Sequence, residues 1–72
     1  MSKPNSNRRQ PDLFEQEARR LAELPARERK QALAVHRRIA QDAGLSQATR
    51  DYARRVADTL EALIARIRNA RT

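Results

Sequence analysis

Apolar residues recur every three or four positions along most of this chain, and the pattern divides into three segments. The first covers residues 12–24, the second residues 26–43 and the third residues 47–70. A spacing near 3.6 residues is typical of amphipathic helices. No segment shows the strict alternation of apolar and polar residues that marks a half-buried strand. The sequence therefore predicts an all-α protein with three helices, of which the third is long.

Residues that favour helix ends separate these segments. Asp12 is a good N-cap for the first helix, and Pro25 ends that helix because the residue before a proline is pushed out of the α region. Gly44, the only glycine, is expected to follow the second helix in the left-handed conformation. Ser46 is expected to cap the third helix. Together these signals predict a three-helix domain over residues 12–72.

The third segment carries a heptad pattern, which is the spacing of residues that pack between helices. Its members follow each other at intervals of three and four: Ala53, Val56, Leu60, Leu63, Ile67 and Ala70. Two interpretations are open. Either this heptad stripe packs against the first two helices of the same chain, or its large members pack against a second copy in a homodimer. Those members are Val56, Leu60, Leu63 and Ile67.

Large apolar residues are few, so the expected core is small. They are Leu13, Phe14, Leu21, Leu24, Leu33, Val35, Ile39, Leu45, Tyr52, Val56, Leu60, Leu63, Ile64 and Ile67. A core of this size contributes only about 3–5 kcal/mol to stability. With no cysteine and one histidine, the chain has neither a disulfide nor a zinc site to add to it. Self-association or partner binding remains as a source of further stability.

Residues 1–11 are polar, contain two prolines and carry three cations, Lys3, Arg8 and Arg9. This composition predicts a disordered basic arm, whose cations would add contacts to an anionic partner. The arm lacks the apolar stretch of a signal peptide, and no part of the chain offers the ~20 apolar residues of a membrane span. We therefore expect a cytoplasmic protein without a membrane partner.

The net charge is +7, from 16 lysines and arginines against 9 aspartates and glutamates. Such a charge favours association with polyanions, and most of the cations are arginines, which bind phosphate bidentately. Catalysis is not expected, because the single histidine, His36, lies beside the apolar stripe of the second helix without a nucleophile near it. We predict no enzyme activity, no cofactor, no metal site and no small-molecule substrate.

Residues 37–56 resemble the helix-turn-helix of bacterial repressors. The matching positions are a small residue under the crossing helix, a glycine and an apolar residue in the turn, and two hydroxyl residues that begin the recognition helix: Ala40, Gly44, Leu45, Ser46 and Thr49. The resemblance implies that the residues near the major groove of DNA are Gln47, Ala48, Arg50, Asp51 and Arg54. An ordinary helix–helix connection, which also favours a glycine and a serine, is the alternative.

Arginines concentrate around the Gly44 turn. With one glutamine they form the candidate polyanion site: Arg37, Arg38, Gln47, Arg50, Arg54 and Arg55. The alternative is that these charges are dispersed and solvated. Base stacking is not expected, because the only aromatic residues, Phe14 and Tyr52, lie on apolar stripes.

Two functions of different classes fit these features. One is a small, dimeric protein that binds duplex DNA and regulates transcription. The other is a helical interaction protein that docks on an acidic protein surface, for example an accessory factor or inhibitor of RNA polymerase.

Overall fold

The chain folds into three α-helices. The computed structural model describes residues 13–71, among which there is no strand. The helices are α1, Leu13–Ala22; α2, Ala26–Ala40; and α3, Gln47–Arg71. The predicted all-α class with a long third helix is therefore confirmed. The predicted arm, residues 1–11, and the predicted N-cap, Asp12, lie outside the described residues.

The helices α1 and α2 each end earlier than the apolar pattern predicts. α1 stops at Ala22, where the amides of Glu23 and Leu24 donate to carbonyls three residues back, a tightening that is common in a last turn. α2 stops at Ala40 and not at Ala43. The amides of Gln41 and Asp42 again donate to carbonyls three residues back. The apolar periodicity continues past both ends, and this is why it overestimates the helix lengths.

The connection between α1 and α2 is held by an arginine. Pro25 directly precedes α2, as predicted, and its carbonyl accepts a hydrogen bond from the amide of Arg29 at 2.9 Å. The guanidinium of Arg29 reaches back, and its Nη1 donates to the carbonyl of Ala22 at 3.2 Å. Carbonyls in a last helical turn have no partner within the helix. Arg29 therefore caps α1 from α2.

The long helix α3 lies between the other two, which pack on its two flanks and hardly touch each other. α1 runs parallel to α3. Its first residue, Leu13, lies beside Tyr52, and its last residue, Ala22, lies beside Leu63 and Ile67.

On the other flank, α2 runs antiparallel to α3. Ala26, at the start of α2, lies near Ile64 and Arg68, whereas Arg37, near its end, pairs with Asp58. Residues 41–46 therefore reverse the direction of the chain, and α2 and α3 form an αα-hairpin.

The core forms where the two flanks meet α3. Within residues 13–70 the buried apolar residues are Ala18, Leu21, Ala53, Val56, Ala57 and Leu60. Val56 and Leu60 have no exposed surface, so the first half of the heptad stripe packs within a single chain. The alternative that placed Val56 and Leu60 in a homodimer interface is thereby corrected, because α1 and α2 already cover them.

Four large apolar residues that the pattern assigns to the core are exposed instead: Leu13 (72%), Val35 (49%), Tyr52 (40%) and Leu45 (37%). Leu13 begins α1 and Leu45 lies in the connection, where no other helix covers them. Val35 and Tyr52 lie beside the contact faces of α2 and α3 rather than on them. With only one helix on each flank of α3, apolar residues at the edges of the stripes stay in solvent.

Candidate nucleic-acid interface

The connection between α2 and α3 is organised by two side chains. Asp42 Oδ1 accepts a hydrogen bond from the amide of Gly44 at 2.9 Å, and the Asp42 carbonyl accepts one from the amide of Leu45 at 3.1 Å. This arrangement is a tight turn supported by an aspartate. Ser46 Oγ accepts from the amide of Thr49 at 3.2 Å. Ser46 is therefore confirmed as the N-cap of α3.

Gly44 does not adopt the left-handed conformation, and the prediction that it would do so is wrong. α2 already ends at Ala40, so Gly44 is not the residue that terminates it. A Cβ atom at position 44 would lie 3.2 Å from Asp42 Oδ1, a close contact with a side chain that is able to move. The glycine leaves room beside Asp42 and is not required by the backbone conformation.

The α2–α3 pair differs in geometry from the repressor motif that residues 37–56 resemble. In a helix-turn-helix the two helices cross at about 90–120°. Here α2 stays close to α3 along its length: Arg37, near its end, pairs with Asp58, and Ala26, at its start, lines the same pocket as Ile64 and Arg68. The likeness at the turn remains a prediction drawn from residue types.

Two arginines of the candidate site are already paired with carboxylates. Arg37 reaches from α2 to α3, where its Nη1 lies 3.3 Å from Asp58 Oδ1 and its Nη2 donates to Glu61 Oε1. Arg54 Nη2 lies 2.8 Å from Asp51 Oδ1 within α3. Because each of these guanidinium groups is balanced by carboxylates, Arg37 and Arg54 add little net positive potential to the surface.

Gln47 and Arg50 are tied into the first turns of α3. Gln47 Nε2 donates to Asp51 Oδ1 at 2.9 Å, and Gln47 Oε1 accepts from Arg50 Nη2 at 3.2 Å. Arg50 is half-buried, and its Nε is buried without a hydrogen-bond partner. Only part of the Arg50 guanidinium is therefore open to an external ligand.

Arg55 contacts α1 instead of the turn. Its guanidinium carbon lies 5.6 Å from the centre of the Phe14 ring, which is within the range of a cation–π contact. No carboxylate of residues 13–70 pairs with Arg55. The structure thus divides the candidate site: Arg37, Arg50, Arg54 and Arg55 each have a different neighbour and do not form one unpaired patch.

Unpaired positive charge is concentrated on α2. Among residues 13–70, the cations without an ion pair, a side-chain hydrogen bond or a ring contact are Arg27, Lys30, Arg38 and Arg66. The first three are exposed residues of α2. At about 100° per residue, Arg38 lies only ~20° around the helix from Arg27, and Lys30 lies ~60° to the other side. We refer to Arg27, Lys30 and Arg38 as the α2 basic face.

Arg38 is a predicted site residue, whereas Arg27 and Lys30 are not. Closeness to the Gly44 turn is the sequence signal for the candidate site, and these two residues lie at the opposite end of α2. The signal that would have found them is helical spacing, because Arg27 and Arg38 are three turns apart on the side opposite the half-buried Ala32 and Leu33.

Two groups of predicted contact residues remain: the cations of the arm and the second half of the self-association stripe. Lys3, Arg8 and Arg9 of the arm lie outside the described residues. Leu63 and Ile67, the second half of the proposed self-association stripe, are half-buried. They are the members of that stripe that a second chain would still be able to reach.

Other chemistry is sparse on this surface. His36 Nδ1 lies 2.9 Å from the carbonyl of Ala32, so the ring is already hydrogen-bonded within its own helix. Within the described residues there is no cluster of His, Cys, Asp and Glu side chains able to hold a metal ion. None of the described helices combines the length and the apolarity needed to cross a membrane.

Comparison with known proteins adds no relative: no family model matches the chain, and neither a curated protein nor a solved structure shows significant similarity to it. A functional proposal therefore depends on the geometry and charge of the described residues.

Proposed function

We propose that this protein is a non-enzymatic, nucleic-acid-binding protein that contacts the phosphates of duplex DNA with the α2 basic face. The observation that carries the proposal is that Arg27, Lys30 and Arg38 are exposed and have no acidic partner. A cation that is already paired with a carboxylate adds little attraction for a polyanion, because the carboxylate cancels its charge. Unpaired, solvated cations release the counterions of the DNA, which is the main source of sequence-independent affinity.

The spacing of the α2 basic face suits a row of phosphates. Arg27 and Arg38 are 11 positions apart in one straight helix, which corresponds to ~16 Å at 1.5 Å per residue. Phosphates of one strand follow each other at ~3.4 Å along the duplex axis, so the face spans several of them. Phosphate contacts fix position without reading bases. We therefore expect binding with little sequence preference.

The residues between the three cations favour DNA over a protein partner. On the same side of α2 these are Gln31 and Ala34, both exposed. The centre of a protein–protein interface is usually depleted of charged residues and enriched in aromatic ones, and the α2 basic face has the opposite composition. Arg38 also belongs to the site predicted from the sequence.

The test measures the affinity for a labelled duplex by fluorescence anisotropy across a salt series. Arg27→Ala, Lys30→Ala and Arg38→Ala are combined in one variant. If all three cations touch phosphates, the slope of log affinity against log salt falls by about one for each of them. The matched control combines Arg19→Ala, Arg20→Ala and Arg54→Ala, which removes the same net charge from cations that are paired with carboxylates.

The two triple variants separate the α2 basic face from net charge alone. Equal losses in both variants would mean that overall charge, and not this face, drives the association. If the unaltered protein does not bind duplex DNA near 0.15 M salt, the DNA proposal fails. Retention of an acidic protein such as RNA polymerase, lost on mutation of the same face, would then support the accessory-factor hypothesis.

A further inference from the structure

A groove lies at the end of the molecule where α1 stops and α3 continues. It has a volume of about 530 Å³, and its floor is formed by Ala22, Leu63, Ile67 and Ala70. Leu63 and Ile67 are half-buried, so part of each side chain remains in contact with water. Exposed apolar surface of this kind, rimmed by charged residues, is typical of an interaction site.

The rim of the groove carries two free charges of opposite sign. Glu23 and Arg66 both line it and are exposed. Neither forms an ion pair or a side-chain hydrogen bond with another side chain of residues 13–70. The other charged residue at this rim, Arg19, is already paired with Glu15 at 3.6 Å. The groove therefore presents an apolar floor between one available acid and one available base.

We infer that two copies of this chain associate through this groove, with Glu23 of each copy paired with Arg66 of the other. In a two-fold interface, residue i of one copy meets residue j of the second, and j meets i. An apolar patch that carries one free acid and one free base is self-complementary under this symmetry. The apolar floors then meet in the centre and two ion pairs close the rim, which is the usual anatomy of a protein interface.

Association with a second copy would also add apolar burial to the small core of a single chain. Residues 13–70 contain only six buried residues, and association covers Leu63 and Ile67, which a single chain leaves half-buried. The groove is lined by seven residues, fewer than the roughly 20–30 residues a side of a standard interface, so the dimer is a reversible one. Because α2 contributes no residue to the groove, the inference does not depend on nucleic-acid binding.

Sedimentation equilibrium of the full chain over a range of protein concentrations tests this pairing. Glu23→Arg leaves two like charges facing each other at both ends of the interface, and Arg66→Glu does the same with the opposite sign. Each variant alone should associate at least about tenfold more weakly than the unaltered protein. An equimolar mixture of the two variants should regain the original association, because both ion pairs form in the heterodimer, one as in the unaltered protein and one with its polarity reversed.

Matched controls lie on α2, away from the groove. Glu28→Arg and Arg38→Glu make the same charge changes at exposed positions, and they should leave the association unchanged. Circular dichroism confirms that every variant is folded. The inference is overturned if the unaltered protein stays monomeric at its highest soluble concentration, if the controls weaken association as much, or if the mixture of the two rim variants does not restore it.

Discussion

The two flanks of α3 are covered by different chemistry. On the α1 side, Ala18 and Leu21 are buried, and this helix needs only 10 residues to place them. On the α2 side, 15 residues include none that is fully buried. That helix is held by half-buried side chains such as Leu33 and by the ion pairs of Arg37 with Asp58 and Glu61.

This difference shows that helix length does not measure how firmly a helix is held. Apolar burial contributes about 25 cal/mol per Å² and does not depend on ion screening. Exposed ion pairs contribute about 0–1 kcal/mol and weaken as salt is added. We therefore expect the short α1 to be the more firmly attached helix. The longer α2 is attached by half-buried apolar side chains and exposed ion pairs, and its outer side keeps its cations available.

Leu60→Ala should have the largest effect, because Leu60 is fully buried at the position where both flanks meet α3. Removing a buried leucine costs about 2–5 kcal/mol, which is comparable with the whole ~3–5 kcal/mol expected for a core of this size. Urea unfolding followed by circular dichroism measures the loss. Leu13→Ala is the matched control, since Leu13 is 72% exposed and should change the free energy of unfolding by less than about 0.5 kcal/mol.

A leucine-to-alanine change on each flank tests directly which helix, α1 or α2, is held more firmly against α3. Leu21→Ala removes a buried side chain of α1 and should cost about 2 kcal/mol or more. Leu33→Ala removes a half-buried side chain of α2, and its cost should be about half as large, in proportion to the apolar area lost. The free energy of unfolding of both variants is compared in one buffer. A larger cost for Leu33→Ala would show that α2, and not α1, is the firmly held helix.

Arg37→Gln should reveal the electrostatic character of the α2 flank. Arg37 and its two partners are 38–63% exposed, so the expected cost is at most about 1 kcal/mol at low salt. Near 1 M salt, where the screening length is only ~3 Å, the difference from the unaltered protein should shrink. Arg54→Gln, which removes a pair within α3, is the control and should cost a few tenths of a kcal/mol. If the loss in the free energy of unfolding is the same at low and high salt, Arg37 stabilises α2 by packing and not by its ion pairs.

Gly44→Ala should have the smallest effect, since Gly44 lies in the connection and on neither flank. Its backbone is outside the left-handed region, and an added Cβ meets only the side chain of Asp42 at 3.2 Å. Restricting the unfolded chain stabilises a protein by about 0.4–1 kcal/mol, and the tight contact offsets part of this gain. The expected thermal midpoint is therefore nearly unchanged. A marked decrease would show that the turn needs the conformational freedom of glycine.

The sequence was most informative where the signal is local. Ser46 and the proline at position 25 act within one turn of the chain, and both mark helix boundaries as predicted. The central members of the heptad stripe, Val56 and Leu60, are the centre of the core.

The candidate site was less predictable, because it depends on which side chains meet across helices. The partners of Arg37 lie 21 and 24 residues away on α3. The residues next to Arg37 in the sequence give no signal that predicts these pairs. The same holds for Arg55, whose contact with Phe14 comes from the parallel packing of α1. The cluster of arginines in the sequence is therefore not a cluster of free charge. Of its members Arg38 has no partner within residues 13–70, and the other free cations of α2 are Arg27 and Lys30.

The position of Tyr52 gives the protein an optical signal of its own. The chain contains one tyrosine and no tryptophan, so Tyr52 dominates the ultraviolet emission. Its hydroxyl lies 3.5 Å from the carbonyl of Leu13 at the start of α1. Detachment of α1 changes the surroundings of this ring, whereas detachment of α2 on the opposite flank does not touch it. Tyrosine emission together with circular dichroism would therefore report, without any label, which of the two helices leaves α3 first.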